Sequence, residues 1–420
     1  MKKRFLTMIS LALCLSFILS VIACSSIEDP INTGTSSDIF SETVKKEAEN
    51  KTEKKTEKKT EKSTKKTTAK KETEPIPGKT VAPIKLTTKE YDLSRKTNYF
   101  KTVGRVQQTT TGITFDHCAN VLEFQGYMTG ELKLNANSSG GNKYEWTYYT
   151  VFIDGERVDQ RFVIDGNDKT ITIANFSGNY FHTVRIVKQT ELANSDSRLK
   201  KIILTGYLTE APKNRKYYFE FYGDSLTAAY GNIGKPGDSN AGSSLHQDAT
   251  KSYAFLASEA LNADCSILAK SGVGLQTGYS SEPFINFFSK ESYVRGSEKF
   301  NFTGARVPDV VVIHLGANDS THTTTKSQFI NRATELINYI QNGYNKKMPI
   351  IWAYDPSECV SISWMKEVLN NFGGEAKGYY LIELEWRSIG AGAGGHPGVK
   401  AHETHAKLIC DLIKNKQLLK

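Results

Sequence analysis

The chain has 420 residues, 24% of them charged, and a net charge of +9. This length exceeds that of one ordinary domain and predicts two domains with additional segments. Residues 1–24 carry +3 of the net charge and residues 25–80 carry +2, so only +4 remains on residues 81–420. Because no basic stripe with interleaved aromatic residues occurs, we expect no nucleic-acid partner.

The first 24 residues have the pattern of an export signal. Positions 2–4 are basic, positions 5–21 are apolar, and Ile22-Ala23 directly precede Cys24. This pattern predicts a lipoprotein signal peptide over 1–23, with Cys24 as the lipidated first residue of the mature protein. An ordinary signal peptide or a membrane anchor is the alternative, although the apolar run is short for a stable span. We therefore expect an exported, cell-surface lipoprotein whose lipid anchor at Cys24 attaches it to the membrane.

Residues 24–80 have the composition of a tether. From residue 25 onward they contain 13 lysines and 11 acidic residues, with near-repeats of Thr-Glu-Lys-Lys over 52–59. A segment with so few apolar residues cannot bury enough surface to offset the conformational entropy lost on folding. The composition predicts a disordered linker that follows the lipid anchor.

Four cysteines remain beyond residue 80: Cys118, Cys265, Cys359 and Cys410. They are far apart in sequence and form no CxxC or comparable metal-binding pattern. Cys265 lies in a strand-like run and Cys410 in a helix-like one, where a buried free thiol is the common situation. We predict neither a disulfide nor a metal site.

Residues 84–208 have the pattern of an all-β domain. Short runs of β-branched and aromatic residues, mostly alternating, predict strands at 112–116, 121–125, 131–135, 148–153, 161–164, 170–173 and 183–187. Asp-Gly, Gly-Asn and Ser-Gly turn signals separate them, and Asp154-Gly155 is a predicted hairpin turn. Regular short strands predict a β-sandwich of the jelly-roll type. The aromatic residues Trp146, Tyr148 and Tyr149 either form a carbohydrate-binding face or belong to the core and to the contact with the next domain.

Residues 215–420 alternate strand and helix patterns. Strands are predicted at 217–222, 265–269, 308–315, 349–353 and 379–384, with helices at 251–261, 327–342 and 363–372 and a last helix beginning near Pro397. The continuous apolar character of the third strand suits burial on both faces of a parallel sheet. This order predicts a doubly wound α/β domain, whose ligands bind at the carboxyl ends of the strands.

Four of these strand ends carry residues suited to ester hydrolysis. Gly223-Asp224-Ser225 follows the first strand, Gly272 follows the second, Asn318 follows the third, and His396 follows the last. Ester hydrolysis needs a nucleophile, a base and fixed donors for the developing oxyanion. Ser225 and His396 are the candidate nucleophile and base, and the Ser225 and Gly272 N–H groups with the Asn318 amide are candidate donors. Gly237-Asp238-Ser239 repeats the first motif without a preceding strand, as ordinary turn chemistry.

The four blocks resemble the SGNH, or GDSL-type, hydrolase superfamily, whose name records Ser, Gly, Asn and His in this order. With the preceding β-domain, the chain is most similar to carbohydrate esterase family 2, in which a jelly-roll domain precedes an SGNH domain. The resemblance covers residues 90–420. It implies an acetyl esterase that acts on polysaccharides such as xylan and glucomannan through an acetyl-enzyme, without a cofactor or a metal.

The sequence departs from the superfamily pattern three residues before His396. The usual aspartate, which orients the histidine, is replaced by Ala393. The resemblance implies a Ser–His dyad oriented by a backbone carbonyl, whereas Asp355 or Glu385 could supply a carboxylate from another loop. An aromatic residue before the histidine is absent as well, and the remaining candidates for stacking on a sugar are Tyr279, Tyr354 and Trp386.

Some polar residues near these blocks have simpler explanations. His402 and His405 lack the HExxH spacing of a zinc protease. The helical spacing of apolar residues around His402 predicts a packed core histidine, and His314 lies inside an apolar strand. We interpret Asp224 as a turn-stabilising residue rather than a catalytic acid.

Two alternative functions stay open at this point. Another GDSL-type esterase, such as a lipase or a peptidoglycan O-acetylesterase, would keep the same four blocks with a different pocket. A carbohydrate-binding lipoprotein with weak or lost activity would use the β-domain, and Ala393 is the residue that favours it. In each case the expected partners are a glycan or ester substrate and the membrane.

Overall fold

The computed structural model describes residues 80–291 and 298–420. The predicted signal peptide, the lipidation site at Cys24 and all of the predicted linker except Thr80 lie outside these residues. In the described part of the chain, no helix is both long enough and apolar enough to cross a lipid bilayer.

The first described region is built from ten strands joined in one antiparallel sheet. Strand β5 lies between β9 and β10, and β9 also pairs with β6. The strands are β1 (Thr88–Asp92), β2 (Lys101–Val103), β3 (Gln107–Thr109), β4 (Gly112–Phe115), β5 (Val121–Ser138), β6 (Thr147–Ile153), β7 (Glu156–Arg157), β8 (Phe162–Ile164), β9 (Lys169–Lys188) and β10 (Ser197–Leu208).

Strands β5 and β9 correct the sequence prediction of shorter strands separated by turns. The predicted strands at 121–125 and 131–135 form one strand, as do those at 170–173 and 183–187. Gly130 and Gly178, which resemble turn residues, have positive φ angles inside the strands, and the β5–β9 register shifts at 128/130 and 132/133. Such bulges bend a strand without ending it. The Asp154-Gly155 hairpin turn between β6 and β7 is confirmed, since both residues have positive φ.

The antiparallel domain encloses its own apolar core. Alternating residues of β5, including Leu122, Phe124 and Leu134, pack there with residues of β9 and β10. Tyr149 is fully buried and Tyr148 is nearly so, with the Arg161 guanidinium 4.1 Å from the Tyr148 ring. These two rings therefore belong to the interior rather than to an exposed face.

The second region is an α/β domain. Its helical elements include four short 3-10 turns, at Ser244–His246, Ala249–Lys251, Glu375–Lys377 and Ala393–Gly395. The strands and α-helices are β11 (Tyr217–Gly223), α1 (Ser225–Ala228), α2 (Tyr253–Ala260), β12 (Ala263–Ala269), α3 (Phe284–Phe288), β13 (Val310–His314), α4 (Ala317–Ser320), α5 (Lys326–Tyr344), β14 (Ile350–Tyr354), α6 (Ile362–Asn371), β15 (Tyr379–Glu383) and α7 (Val399–Asn415).

The five strands of this domain form a parallel sheet in the order β12-β11-β13-β14-β15. Successive residues of β13 point to opposite faces, so Val310 and Val312 pack with α2 and α7 while Val311 and Ile313 pack with α3, α5 and α6. The predicted fold class, an all-β domain followed by a doubly wound α/β domain, is confirmed.

The two regions share one interface. Val121 and Val187 of the antiparallel sheet belong to the same apolar cluster as Phe255 of α2. Arg185 lies 2.7 Å from the Glu259 carboxylate across this boundary. The described residues therefore form one compact unit rather than two separate ones. Cys118, Cys265 and Cys410 are buried free thiols in this unit, and Cys359 is a partly buried one.

Candidate active site

The sheet order places three of the predicted site residues together. The chain runs to one side of β11 to form β12 and to the other side to form β13. In such sheets a crevice opens at the carboxyl ends of the strands where the order reverses. Ser225 follows β11, Gly272 follows β12 and Asn318 follows β13, so all three lie at this crevice.

The turn that presents Ser225 requires a glycine and a capping residue. A Cβ atom on Gly223 would lie 2.1 Å from Thr227 Oγ1, which leaves no space for a side chain. The Asp224 carboxylate accepts a hydrogen bond of 3.0 Å from Leu226 N–H and caps α1. Ser225 is thereby fixed as the first residue of α1, and the first N–H groups of a helix have no partner within it.

His396 contacts Ser225 directly. Its Nε2 atom lies 2.8 Å from Ser225 Oγ, and its Nδ1 atom lies 2.8 Å from the carbonyl oxygen of Gly394. A carbonyl can only accept, so Nδ1 carries the ring hydrogen of the neutral imidazole and Nε2 is free to accept. The Ser225 hydroxyl donates to Nε2, which is the arrangement that a general base needs before it takes the proton.

The loop that carries His396 is held by backbone hydrogen bonds. Gly392 N–H donates to the His396 carbonyl at 2.7 Å, and Ala393 N–H donates to the Gly231 carbonyl at 2.9 Å. Gly394 has φ of +65°, a conformation that favours glycine. Pro397 pairs with Ala391 in this loop, and α7 begins two residues later, which corrects the predicted start of the last helix.

Burial lowers the pKa of His396 below its ordinary value of 6.5. The bond to the Gly394 carbonyl and the charge of Glu191 act in the opposite direction but are smaller. The Tyr230 ring lies 4.4 Å from the imidazole and contributes to its enclosure. Burial therefore favours the neutral imidazole, the form that can accept a proton at neutral pH.

Two further candidate oxyanion donors follow the strands on either side of β11. Gly272 has φ of +77°, and its carbonyl accepts a 2.8 Å hydrogen bond from Ser280 N–H. The Asn318 amide nitrogen donates to Asp224 Oδ2 and to the Val273 carbonyl, both at 3.1 Å. An incoming oxyanion would have to share one of these amide hydrogens, as three-centre hydrogen bonds do.

Asp224 supports Asn318 rather than the histidine. Burial raises the pKa of the Asp224 carboxyl to about 7, the hydrogen bonds from Leu226 and Asn318 oppose this rise, and the charge of Asp319 adds to it. Asp319 in turn accepts hydrogen bonds from the N–H groups of residues 275–277 at 2.7 to 3.1 Å. The two carboxyl groups thus fix the Asn318 amide and the loop after Gly272.

The alternative carboxylates lie elsewhere. Asp355 accepts a hydrogen bond from Ser357 N–H at 2.7 Å, and Glu385 accepts one from Ser388 N–H at 2.9 Å. Within the described residues, neither carboxylate is hydrogen-bonded to His396. His314 and His402 are buried, and His402 Nδ1 accepts a hydrogen bond from Tyr253 N–H, so both behave as core residues.

The three stacking candidates differ in exposure. Trp386 is buried, and Tyr354 is half-buried with its hydroxyl on Glu383. Tyr279 is 78% exposed. It lies next to Gly272, since a Cβ atom built on Gly272 would be 3.3 Å from the Cβ atom of Tyr279. Tyr279 is therefore the candidate that presents an open ring face beside the crevice.

Sequence reasoning did not identify Tyr230 or Asp319. Tyr230 lies five residues after Ser225, where nothing in the sequence links it to a histidine 166 positions later. Asp319 adjoins Asn318, and this adjacency is a signal that could have pointed to it.

The geometry defines a class of protein. A hydrogen-bonded Ser–His pair at the switch point of a doubly wound sheet, with candidate donors at the neighbouring strand ends, is the arrangement expected of a GDSL-type serine hydrolase. In agreement, residues 220–373 match the family model described as GDSL-like Lipase/Acylhydrolase, and residues 102–212 match the model described as Carbohydrate esterase 2 N-terminal. The chain thus joins the N-terminal domain of carbohydrate esterase family 2 to a GDSL-like domain, which confirms the predicted resemblance.

Two curated proteins with similar sequences are named as esterases. Cellulase/esterase CelE of Acetivibrio thermocellus is 27% identical over 303 residues, which are 68% of this chain and 36% of that protein. An acetylxylan esterase / glucomannan deacetylase of Cellvibrio japonicus is 27% identical over 237 residues, 49% of this chain and 64% of that protein. The matches therefore span less than two thirds of either curated relative.

A solved structure matches over a larger share. A family two carbohydrate esterase from Clostridium thermocellum, in complex with cellohexaose, has a TM-score of 0.68 and 25% identity, covering 76% of this chain and all of that one. The family two carbohydrate esterase from Cellvibrio japonicus has a TM-score of 0.70 and 18% identity, covering 80% of this chain and all of that one, which shows a shared fold.

Proposed function

We propose that the protein is a serine esterase that removes O-acetyl groups from the sugar hydroxyls of polysaccharides. The observation that carries the proposal is the hydrogen-bonded series Ser225 Oγ, His396 and Gly394 carbonyl, with 2.8 Å at each contact. It supplies a nucleophile, a base and a group that sets the tautomer of the base, and so provides the orientation that an aspartate at position 393 would otherwise give.

The reaction follows from these contacts. His396 Nε2 takes the Ser225 proton as Oγ attacks the acetyl carbonyl carbon, and the Ser225 and Gly272 N–H groups with the Asn318 amide stabilise the oxyanion. Collapse of the tetrahedral intermediate breaks the bond to the sugar oxygen, which receives the proton from His396. Water activated by His396 then cleaves the acetyl-enzyme, so that acetate leaves and Ser225 is restored.

The similar proteins and the crevice support a polysaccharide substrate. One relative is named for acetylxylan and glucomannan, and one similar structure holds cellohexaose. The exposed ring of Tyr279 offers an apolar face of the kind that stacks on sugar rings, beside the oxyanion donors. We therefore propose xylan, glucomannan or their oligosaccharides as the acetylated substrate.

Acetate release by the full chain tests this function. We expect the highest kcat/KM on acetylated xylan or glucomannan, and a value at least about ten-fold lower on a butyrate ester, because the acyl chain must fit beside Gly272. A preference for long acyl chains would indicate a lipase, and release from O-acetylated peptidoglycan alone would indicate a peptidoglycan O-acetylesterase. Glycan binding without release would favour a binding lipoprotein.

We further propose that the protein is anchored to the cell-surface membrane through Cys24. The proposal depends on the basic, apolar and small-residue pattern of residues 1–24 and on the polar linker that follows. When expressed in a bacterium, the Cys24→Ala variant should be absent from the membrane fraction. The Cys14→Ala variant, which is changed within the signal peptide itself, should still be found in that fraction. Equal partitioning of both variants would contradict a lipid anchor at Cys24.

A further inference from the structure

The segment between β9 and β10 belongs to the antiparallel domain but reaches the crevice of the α/β domain. Glu191 in this segment is 1% exposed. Its Oε2 atom accepts a hydrogen bond from Ser271 N–H at 2.7 Å, and its Oε1 atom accepts one from Ser271 Oγ at 2.6 Å. A carboxylate of one domain therefore binds both the backbone and the side chain of a residue in the other.

The Glu191 carboxylate is itself fixed in place. Gln247 Nε2 donates to Glu191 Oε1 at 2.8 Å, and Gln247 Oε1 accepts from Glu191 N–H at 3.2 Å. The buried Lys188 ammonium donates to the carbonyls of Asp116 at 3.0 Å and Thr190 at 2.6 Å. Since Lys188 and Gln247 are fully buried, the loop that carries Glu191 has little freedom to move.

Ser271 immediately precedes Gly272, the candidate oxyanion donor. The turn is held before Gly272 by the two bonds from Ser271 to Glu191, and after it by the bond from Ser280 N–H to the Gly272 carbonyl. A glycine at φ of +77° is otherwise free to adopt many conformations. The two anchors limit the direction in which the Gly272 N–H points.

We propose that Glu191 is a positioning residue of the esterase site, which holds Ser271 so that the Gly272 N–H faces the oxyanion. The antiparallel domain then completes the oxyanion hole of the α/β domain. This inference rests on the proposed function for its assay, and it assigns a role to a residue outside the four sequence blocks. The Glu191 charge also raises the pKa of His396.

The variant Glu191→Gln tests the proposal. Loss of an oxyanion donor costs about 10²- to 10³-fold in kcat, so a misdirected Gly272 N–H should lower kcat by at least about ten-fold with KM changed less than about two-fold. The acid limb of the kcat/KM profile should also move to lower pH, because a negative charge that favours the protonated imidazole is removed. The matched control is Glu90→Gln, an exposed carboxylate of β1 paired with Lys201, which should change neither quantity.

The pH readout is specific to Glu191. Among the described residues, Glu191 and His402 interact electrostatically with His396, and the Tyr230 ring contacts it. Burial lowers the pKa of His402 to about 3 and raises that of Tyr230, so both stay neutral across the acid limb. A structural defect alone would lower activity without moving this limb. Unchanged kcat in folded Glu191→Gln would overturn the proposal, whether or not the limb moves.

A second variant and a second assay cover the remaining outcomes. Ser271→Ala keeps the backbone bond to Glu191 and loses the hydroxyl bond, so kcat should fall by a few-fold. A wild-type kcat would count against the proposal even if Glu191→Gln failed to fold.

Labelling of Ser225 by a fluorophosphonate probe needs the oxyanion donors but no sugar or acetyl group. Slower labelling of Glu191→Gln supports the role of Glu191 even where no glycan is deacetylated, and equal labelling rates contradict it.

Discussion

Ser225→Ala and His396→Ala are each expected to lower kcat for acetyl ester hydrolysis by at least about 10³-fold, with the fold retained. Ser225 Oγ and His396 Nε2 are 2.8 Å apart. They act as one unit, because the hydroxyl is a weak nucleophile without the base and the base has no nucleophile to activate without the hydroxyl. The measurement is kcat on an activated acetate ester and on the acetylated glycan.

Non-additivity provides the sharper form of this prediction. Residues that act in one step lose nearly the full rate enhancement when either is removed, so the double variant should be about as slow as each single one. The matched control is Ser239→Ala, since Ser239 ends the second Gly-Asp-Ser triplet and is exposed. The pair would not work as proposed if the fold-losses in kcat of the two single variants multiplied in the double variant, or if Ser239→Ala lowered kcat.

The sequence predicted those parts of the fold and of the candidate site that depend on residue type alone. Apolar runs predicted the parallel strands and their carboxyl ends, because a sheet buried on both faces needs such runs. It was less informative where geometry depends on backbone atoms or on distant contacts. The bulges at Gly130 and Gly178 have the composition of turns, and only pairing with neighbouring strands makes them part of β5 and β9.

The same limit applies within the site. The group that orients His396 is the carbonyl of Gly394, and every residue has a carbonyl, so no residue type marks this role. Glu191 and Tyr230 contact the site only through the tertiary fold. The candidate residues Ser225 and His396, by contrast, could be named from the sequence because ester hydrolysis requires side chains of these types.

Ala393→Asp is expected to destabilise the protein by about 3 kcal/mol or more without raising kcat, because the new carboxylate would be buried without a partner. Ala393 is fully buried, and a Cβ built on Gly234 would lie only 2.7 Å from the Ala393 methyl group. The Nδ1–H of His396 is already donated to the Gly394 carbonyl. The aspartate usual in the superfamily would therefore have neither space nor a free hydrogen to bind.

The measurement pairs the urea unfolding midpoint with kcat, and Ala391→Asp is the matched control. Ala391 is in the same loop but exposed, so a charge there stays solvated and should leave the free energy of unfolding within about 0.5 kcal/mol of wild type. A stable Ala393→Asp variant with a kcat raised ten-fold would mean that the loop rearranges and that a carboxylate orients His396 better than the carbonyl does. Loss of stability with unchanged or lower kcat would mean that the alanine belongs to a site built around the backbone carbonyl, in which the missing aspartate reflects a different way of orienting the base rather than a lost activity.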